Sequence, residues 1–231
     1  MLKSLRNRRS IRAYADRDIP EDLLGELLEV AARASNTGNM QLYSVVMTRD
    51  KAGKERLAPA HFNQPMVTTA PVVLTFCADA NRFVKWAACR EAEAGFDNMQ
   101  TFITSAIDAI LFAQTFCVAA EERGLGICYL GTTSYNADQI IEALDLPRLV
   151  VPITTVTVGW PAEPRYRDYT PADIDRLYAE KEALPENEEF VRVNNKRTLA
   201  QVFTDIRYTK ANNEHFSEVL LDVLRRQGFL R

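Results

Sequence analysis

The sequence contains few of the residues from which proteins build hydrolytic or metal centres. It has only two histidines, His61 and His215, and four cysteines, none of which forms a C-x-x-C pair. Neither histidine has a histidine or cysteine at zinc-site spacing, and the chain contains no G-x-S-x-G segment. A structural zinc site and a Ser-His-Asp triad are therefore not expected.

The sequence also lacks an excess of charge of either sign and any long apolar run. Its 28 Lys and Arg against 31 Asp and Glu give a net charge of −3, which argues against nucleic acid or an anionic membrane as the main partner. The longest apolar runs, near 71–80 and 150–158, are shorter than the about 20 residues that span a bilayer. No disulfide framework is indicated, and Cys128 lies in apolar surroundings that suit a small buried hydrophobe. We expect a cytoplasmic protein.

Glycine-rich phosphate loops are missing as well. There is no G-x-x-x-x-G-K-[ST] segment, and Gly124-x-Gly126 follows a helical pattern and lacks the third glycine of a dinucleotide fingerprint. The acidic pairs Glu91/Glu93 and Glu121/Glu122 are interpreted as solvated helix positions, so no paired acid and base is found. We therefore assign no catalytic side chain and expect any chemistry to come from a bound cofactor.

The most distinctive segment that is present runs from Arg8 to Tyr14, with the sequence Arg-Arg-Ser-Ile-Arg-Ala-Tyr. Three guanidinium groups and a hydroxyl within five residues match the donors that a phosphate group needs. A solvated basic patch is the simpler alternative. An RNA- or phosphopeptide-binding module is a further alternative, which the acidic pI of about 5.6 disfavours.

Hydrophobic periodicity predicts one α+β domain over 1–184 and an arm with a terminal helix over 185–231, which belongs to the same domain or wraps a partner subunit. The pattern over 95–123 is apolar nearly all round, so this helix is expected either to pack on several sides or to lie at a subunit interface. Helices are predicted at 20–34, 51–60, 95–123, 137–144, 171–181 and about 214–227; strands at 42–48, 71–78 and 150–159; an extended segment at 10–14; and a short buried segment at 127–131.

Several segments, in their order along residues 2–180, resemble the nitroreductase / NAD(P)H-flavin oxidoreductase family. The segments are Arg8–Arg12, the helix from Pro20, Ser35–Gln41, Thr69–Val73, Gly124–Gly131 and Gly159–Glu163 with Arg165 and Arg167. The resemblance implies an FMN-binding α+β fold on a mostly antiparallel central sheet flanked by helices. It also implies a homodimer formed through the long central helices, with FMN at the subunit interface.

The activity implied by the resemblance is a ping-pong oxidoreduction. NADPH or NADH would pass a hydride to the flavin N5, and an electron-poor small molecule such as a nitroaromatic, quinone or flavin would then be reduced. Ene reduction, dehalogenation, flavin fragmentation and non-catalytic flavin sensing remain as alternatives.

The resemblance also implies cofactor contacts. Arg8 and Ser10 would bind the phosphate, Arg9 the ribityl chain or phosphate, and Arg12 the N1–C2=O edge of the ring. The remaining implied contacts are Gln64 at the pyrimidine edge, Ser35, Asn36, Thr37 and Asn39 from the partner subunit, Tyr129, Leu130, Gly131 and Thr132 near N5, and Arg165 and Arg167 at the phosphate. Ser35, Asn36, Leu42 and Tyr43 depart from the usual Pro, Ser, Pro and Trp, which leaves the contacts of this loop open. Phe83, Trp86 and 166–169 are candidates for the acceptor face.

Overall fold

The computed structural model describes residues 5–6, 8–162, 189 and 191–230. The chain divides into two compact units, Met1–Glu163 with Val219–Arg231, and Pro164–Glu218. The first unit contains the sheet and the hydrophobic clusters. The predicted helix over 171–181 and the loop with Arg165 and Arg167 lie outside the described residues.

Four antiparallel strands form the sheet of the first unit, in the order β1-β2-β4-β3. The strands are β1 (Tyr43–Thr48), β2 (Val72–Asp79), β3 (Gly126–Leu130) and β4 (Val150–Gly159). All eight residues of β2 are buried, which explains why this central strand is a continuous apolar run. The three predicted strands and the mostly antiparallel sheet are confirmed, and the short segment at 127–131 is the edge strand β3.

Most of the helices match the predicted patterns. They are α1 (Glu21–Ala31), α2 (Lys51–Leu57), α3 (Pro65–Thr69), α4 (Asn81–Ala88), α5 (Met99–Glu122), α6 (Ala137–Leu144), α7 (Leu199–Val202) and α8 (Lys210–Arg226), with 3₁₀ turns at Thr37–Asn39 and Pro59–His61 and a π-helical turn at Phe203–Arg207.

Two helices begin at residues other than those predicted, and one segment of the predicted arm is helical. Helix α5 begins at Met99 because the Asn98 side chain caps it, accepting a hydrogen bond from the Thr101 N–H at 3.0 Å. Helix α8 begins four residues earlier than predicted, after Thr209, whose hydroxyl accepts from the Asn212 N–H at 3.1 Å. Residues 191–193, within the predicted extended arm, are helical.

One face of α5 supplies the centre of the largest hydrophobic cluster. Ala109, Ala113 and Phe116 on this face are fully buried. Phe112 lies between two aromatic rings, with ring centroids 4.6 Å from Tyr43 and 6.0 Å from Phe76. This face fixes α5 against the sheet and α1.

The other face of α5 is apolar and exposed. Ile103, Ile107, Ile110 and Leu111 follow the i, i+4, i+7, i+8 spacing of one helical stripe and are 41–51% exposed. By length and composition alone, α5 is the one helix in the described chain that could cross a membrane. Core helices satisfy the same criteria, and α5 contributes one face to the core, so this property is weak evidence for a membrane. We refer to these four residues as the α5 stripe.

The N-terminal segment lies extended beside β3, as predicted. Ser10 forms a parallel bridge with Ile127, and the Ile11 N–H donates to the Ile127 carbonyl at 2.9 Å. The Ile11 side chain occupies the space beside Gly126, where a Cβ atom would lie 2.6 Å from it. Gly126 is therefore required by the packing of the chain on itself.

Candidate functional site

Arg8, Ser10 and Arg12 occupy alternate positions of the extended N-terminal segment beside β3. The intervening Ile11 packs its side chain against Gly126. Burial raises the pKa of the Cys128 thiol, and the charges of Arg12 and Arg8 both oppose that effect. Both guanidinium groups therefore act on the same region of β3. Cys128 itself is 2% exposed, which confirms the expected small buried hydrophobe.

Arg8 already has a carboxylate partner in the fold. Its Nε lies 3.3 Å from Oε2 of Glu121, whose side chain is only 10% exposed. The interpretation of Glu121 as a solvated helix position is therefore wrong: α5 turns this residue inward, toward the N-terminal segment. Burial raises the pKa of the Glu121 carboxyl, and the Arg8 charge opposes it. A phosphate bound at Arg8 would share the guanidinium with Glu121.

The three residues at the end of β3 and in the turn after it differ in exposure. Tyr129 donates its hydroxyl to Gln114 Oε1 at 3.3 Å, and the Leu130 side chain is buried in the core. Gly131 is exposed, and a Cβ atom built on it would meet nothing within 4 Å. In the described chain, the backbone at Gly131 is therefore open on the side where a Cβ atom would lie.

A buried histidine connects this turn to Gln64. His61 is 0% exposed; its Nδ1 lies 2.8 Å from Thr132 Oγ1, and its carbonyl accepts from the Gln64 N–H at 3.2 Å. Burial lowers the pKa of His61 to about 4, so the ring is neutral near pH 7. Nothing in the local sequence pattern joins His61 to Thr132, so this contact is evident only in the folded chain.

The loop with the other predicted contacts is held by a buried carboxylate on α5. Asp108 is 1% exposed; its Oδ1 accepts from the Thr37 N–H at 3.0 Å and the Thr37 hydroxyl at 3.2 Å, and its Oδ2 accepts from the Leu42 N–H at 3.4 Å. The side chain of Asn36 accepts from the Gln41 N–H at 3.2 Å. Ser35 and Asn39 are exposed, and Asn39 has a left-handed backbone (φ 54°).

Within one chain, this loop does not join the arginine cluster. Asp108 and Glu121 anchor the two groups on the same helix, thirteen residues apart. At a rise of 1.5 Å per residue, the two anchors are about 20 Å apart along the helix axis. The structure therefore brings Arg8, Ser10 and Arg12 close to β3, and holds the 35–39 loop elsewhere on α5.

The other candidate residues lie partly within and partly outside the described part of the chain. Arg9 is half-buried, while Arg165, Arg167 and 166–169 lie outside the described residues. Phe83 forms an aromatic cluster with Trp86 and Phe96, with ring centroids at 5.4 and 4.8 Å, and Trp86 is 56% exposed. The described part of the chain contains no cluster of residues that could hold a metal ion.

The donor set and the open space suit FMN. A phosphomonoester requires cationic and hydroxyl donors such as those of Arg8 and Ser10, and a planar ring requires an unobstructed surface such as that at Gly131.

Comparison with known proteins gives a consistent result. The family model described as "Nitroreductase family" matches residues 5–160. An FMN reductase [NAD(P)H] from Bacillus subtilis is 32% identical over 71% of this chain and 66% of its own length. The chain thus spans slightly under two thirds of the length of that curated relative.

Solved structures extend the similarity along the whole chain. A candidate oxidoreductase from Bacteroides fragilis is 58% identical, with a TM-score of 0.92, and the match covers 99% of this chain and 100% of that one. The NfrA1 nitroreductase from B. subtilis is 26% identical, with a TM-score of 0.79, and covers 99% of this chain and 98% of its own.

Proposed function

Because the chain belongs to the nitroreductase family, we propose that it is an FMN-dependent oxidoreductase that takes electrons from NADPH or NADH and passes them to a small electron-poor acceptor. Nitroaromatics, quinones and flavins are the proposed acceptors. The observation that supports this best is the position of Arg8, Ser10 and Arg12 on the segment beside β3, where the charges of Arg8 and Arg12 both act on Cys128.

Bound FMN would supply the two-electron chemistry for which the described chain has no side-chain candidate. Arg8 and Ser10 would bind its phosphate, and Gln64 its pyrimidine edge. Arg12, which is exposed, would stabilise negative charge at the N1–C2=O edge of the ring as a fixed cation. The backbone of Tyr129–Thr132 would line the ring, because the side chain of Leu130 is buried and Gly131 has none. Arg9 remains a predicted contact of the ribityl chain or the phosphate, and Arg165 and Arg167 remain predicted phosphate contacts.

A homodimer formed through α5 accounts for two further observations. It would cover the α5 stripe, whose four large side chains the single chain leaves exposed. It would also bring the loop with Ser35, Asn36, Thr37 and Asn39 to the partner's cofactor site, since in its own chain the loop is anchored about 20 Å along α5 from Glu121.

The aromatic cluster of Phe83, Trp86 and Phe96 is the proposed contact surface for the acceptor. Trp86 presents more than half of its surface to solvent, and electron-poor rings stack favourably on such side chains. The cytoplasmic location stays a prediction from the sequence.

The test is an absorption spectrum of the protein after addition of FMN, followed by anaerobic titration with NADPH and NADH. We expect stoichiometric FMN binding and bleaching of the flavin bands by one or both nucleotides. A protein that takes up no FMN would contradict the proposal. Bound flavin that neither nucleotide bleaches would instead favour a sensor or another flavin reaction.

A pair of variants tests the binding site itself. Arg8→Ala removes one charge-assisted hydrogen bond, worth about 1.5–3 kcal/mol, and we expect FMN binding at least about tenfold weaker. Arg56→Ala, at an exposed position of α2, is the matched control and is expected to bind FMN like the wild type. Equal affinities of both variants would remove Arg8 from the site.

A further inference from the structure

His61 has a buried ring nitrogen that the fold leaves unpaired. Its Nδ1 contacts Thr132 Oγ1 at 2.8 Å, whereas its Nε2 is buried without a hydrogen-bond partner among the residues that the structure describes. The residue is 0% exposed. A polar ring at this depth that makes one hydrogen bond needs a reason beyond filling space.

The unpaired nitrogen determines where the ring proton lies. Burial keeps His61 neutral near pH 7, so only one ring nitrogen is protonated. A proton on Nε2 would leave a buried N–H donor without an acceptor, which is rarer in proteins than an acceptor that lacks a donor. The proton is therefore assigned to Nδ1, and Thr132 Oγ1 accepts it.

This assignment leaves the proton of the Thr132 hydroxyl free to point away from the histidine. Thr132 is half-buried and follows Gly131, at the open end of β3. Its carbonyl accepts from the N–H groups of Tyr135 and Asn136 at 3.1 and 3.3 Å, which fixes the turn at the start of α6. The hydroxyl is thus held in place by His61, on the residue that follows Gly131.

The segment that contains His61 is itself held rigidly. The Asn136 side-chain amide donates to the Ala60 carbonyl at 2.7 Å, a second link between the two turns. Phe62 and Asn63 have left-handed backbones, with φ of 54° and 53°, and lead directly to Gln64. Such conformations persist in non-glycine residues only where the surroundings hold them. His61 therefore links the segment that contains Gln64 to the turn that contains Thr132.

We propose that His61 is a positioning residue that orients the Thr132 hydroxyl as a hydrogen-bond donor to the flavin bound at Gly131. The inference rests on the proposed function, since it requires FMN at this surface. It assigns a specific donor side chain to the ring and gives the buried histidine a role through Thr132 without contact with the cofactor.

The first test measures FMN affinity and the flavin midpoint potential in four single variants and one double variant. Thr132→Val removes the hydroxyl at nearly constant shape, and we expect FMN binding about three- to tenfold weaker and a shifted potential. His61→Leu is expected to cause the same loss, and the double variant no further loss, because both changes remove one interaction. Thr132→Ser and His61→Asn keep a hydroxyl and a donor, respectively, and are expected to restore wild-type values.

The outcomes separate this inference from the proposed function. A wild-type protein that takes up no FMN contradicts the proposed function. A wild type that binds FMN together with a Thr132→Val variant of equal affinity and potential overturns the inference alone. Loss of affinity in His61→Leu but not in Thr132→Val gives His61 a structural role only. If His61→Leu does not fold, the Thr132→Val and Thr132→Ser pair still decides, since Thr132 lies in a partly exposed turn.

A second test needs no cofactor. Nitrogen NMR of the protein labelled at histidine distinguishes protonated from bare ring nitrogens. The variant His215→Asn, at an exposed position of α8, removes the signals of the second histidine, so that the remaining signals belong to His61. We expect the proton on Nδ1. A proton on Nε2 would make Thr132 the donor to His61 and would overturn the proposal.

Discussion

Replacing Asp108 with asparagine tests how the 35–42 loop is held. The buried carboxylate accepts three hydrogen bonds, two from Thr37 and one from the Leu42 N–H. Asparagine keeps one carbonyl oxygen for Thr37 but turns an NH₂ group toward Leu42. Leu42 is 1% exposed, so its N–H would be left buried against another donor.

The expected cost follows from these contacts. A buried N–H that loses its acceptor costs about 1–3 kcal/mol, and the two hydrogen bonds from Thr37 weaken by roughly 1 kcal/mol each when the acceptor loses its charge. Burial of a neutral amide in place of a carboxylate offsets part of this cost. We therefore expect Asp108→Asn to lower the free energy of unfolding by about 2–3 kcal/mol.

Urea denaturation at one fixed protein concentration measures this change, with equal m-values as the condition for comparison. The control is Asp145→Asn, the same chemical change at an exposed position with a left-handed backbone (φ 51°), which asparagine tolerates. The control is expected to stay within about 0.5 kcal/mol of the wild type. If Asp108→Asn also stays within that range, Asp108 does not anchor the loop.

Three further predictions concern charge and assembly. Burial lowers the pKa of His61 to about 4, while the unfolded residue titrates near 6.5. The contribution of His61 to the free energy of unfolding is therefore complete above pH 6.5 and falls by about 3 kcal/mol toward pH 4. His61→Asn should flatten this part of a denaturation–pH profile, and an unchanged slope would contradict the burial argument. Glu121→Gln frees the Arg8 guanidinium from its carboxylate partner and removes a negative charge beside the bound phosphate. FMN titration should therefore give about three- to tenfold tighter binding, with Glu142→Gln as the control. Weaker binding would contradict the proposed contact between Arg8 and the phosphate. Light scattering should give about twice 26.1 kDa for the wild type and a lower mass for Ile107→Lys, but not for Val30→Lys on α1; a wild-type mass near 26.1 kDa would exclude the dimer.

Periodicity predicted the elements whose apolar residues repeat over several turns or pleats. Helix α5 and strand β2 were evident because apolar residues occur around most of the circumference of the helix and along most of the strand. Helix α3 has only five residues, and α4 buries only Ala87, so neither contains an apolar pattern long enough to detect. Short or mostly exposed helices are set by tertiary context, which a local pattern does not record.

The residues of the candidate site also differ in whether local sequence is enough to predict them or a contact distant in sequence is needed. Arg8, Ser10 and Arg12 were identified because residue type and short spacing indicate phosphate chemistry. His61 and Asp108 were missed because their partners, Thr132 and Thr37, lie 71 residues away in each case. A single sequence contains no signal for such pairs, and only the folded chain identifies them.

Two glycines of the Gly124–Gly131 segment show why a motif needs the fold to be interpreted. Gly126 leaves room for Ile11 and is required by packing within the chain, whereas Gly131 faces open space and is required by nothing in its own described chain. An alanine at 126 would therefore disturb the N-terminal segment even in the absence of ligand. An alanine at 131 would be harmless to the unliganded fold, and its cost would arise only when a flat ligand approaches the backbone of 130–132. The resemblance implies a cofactor contact for Gly131 and none for Gly126, and the structure gives the packing reason for Gly126 while showing no packing role for Gly131 in the described chain.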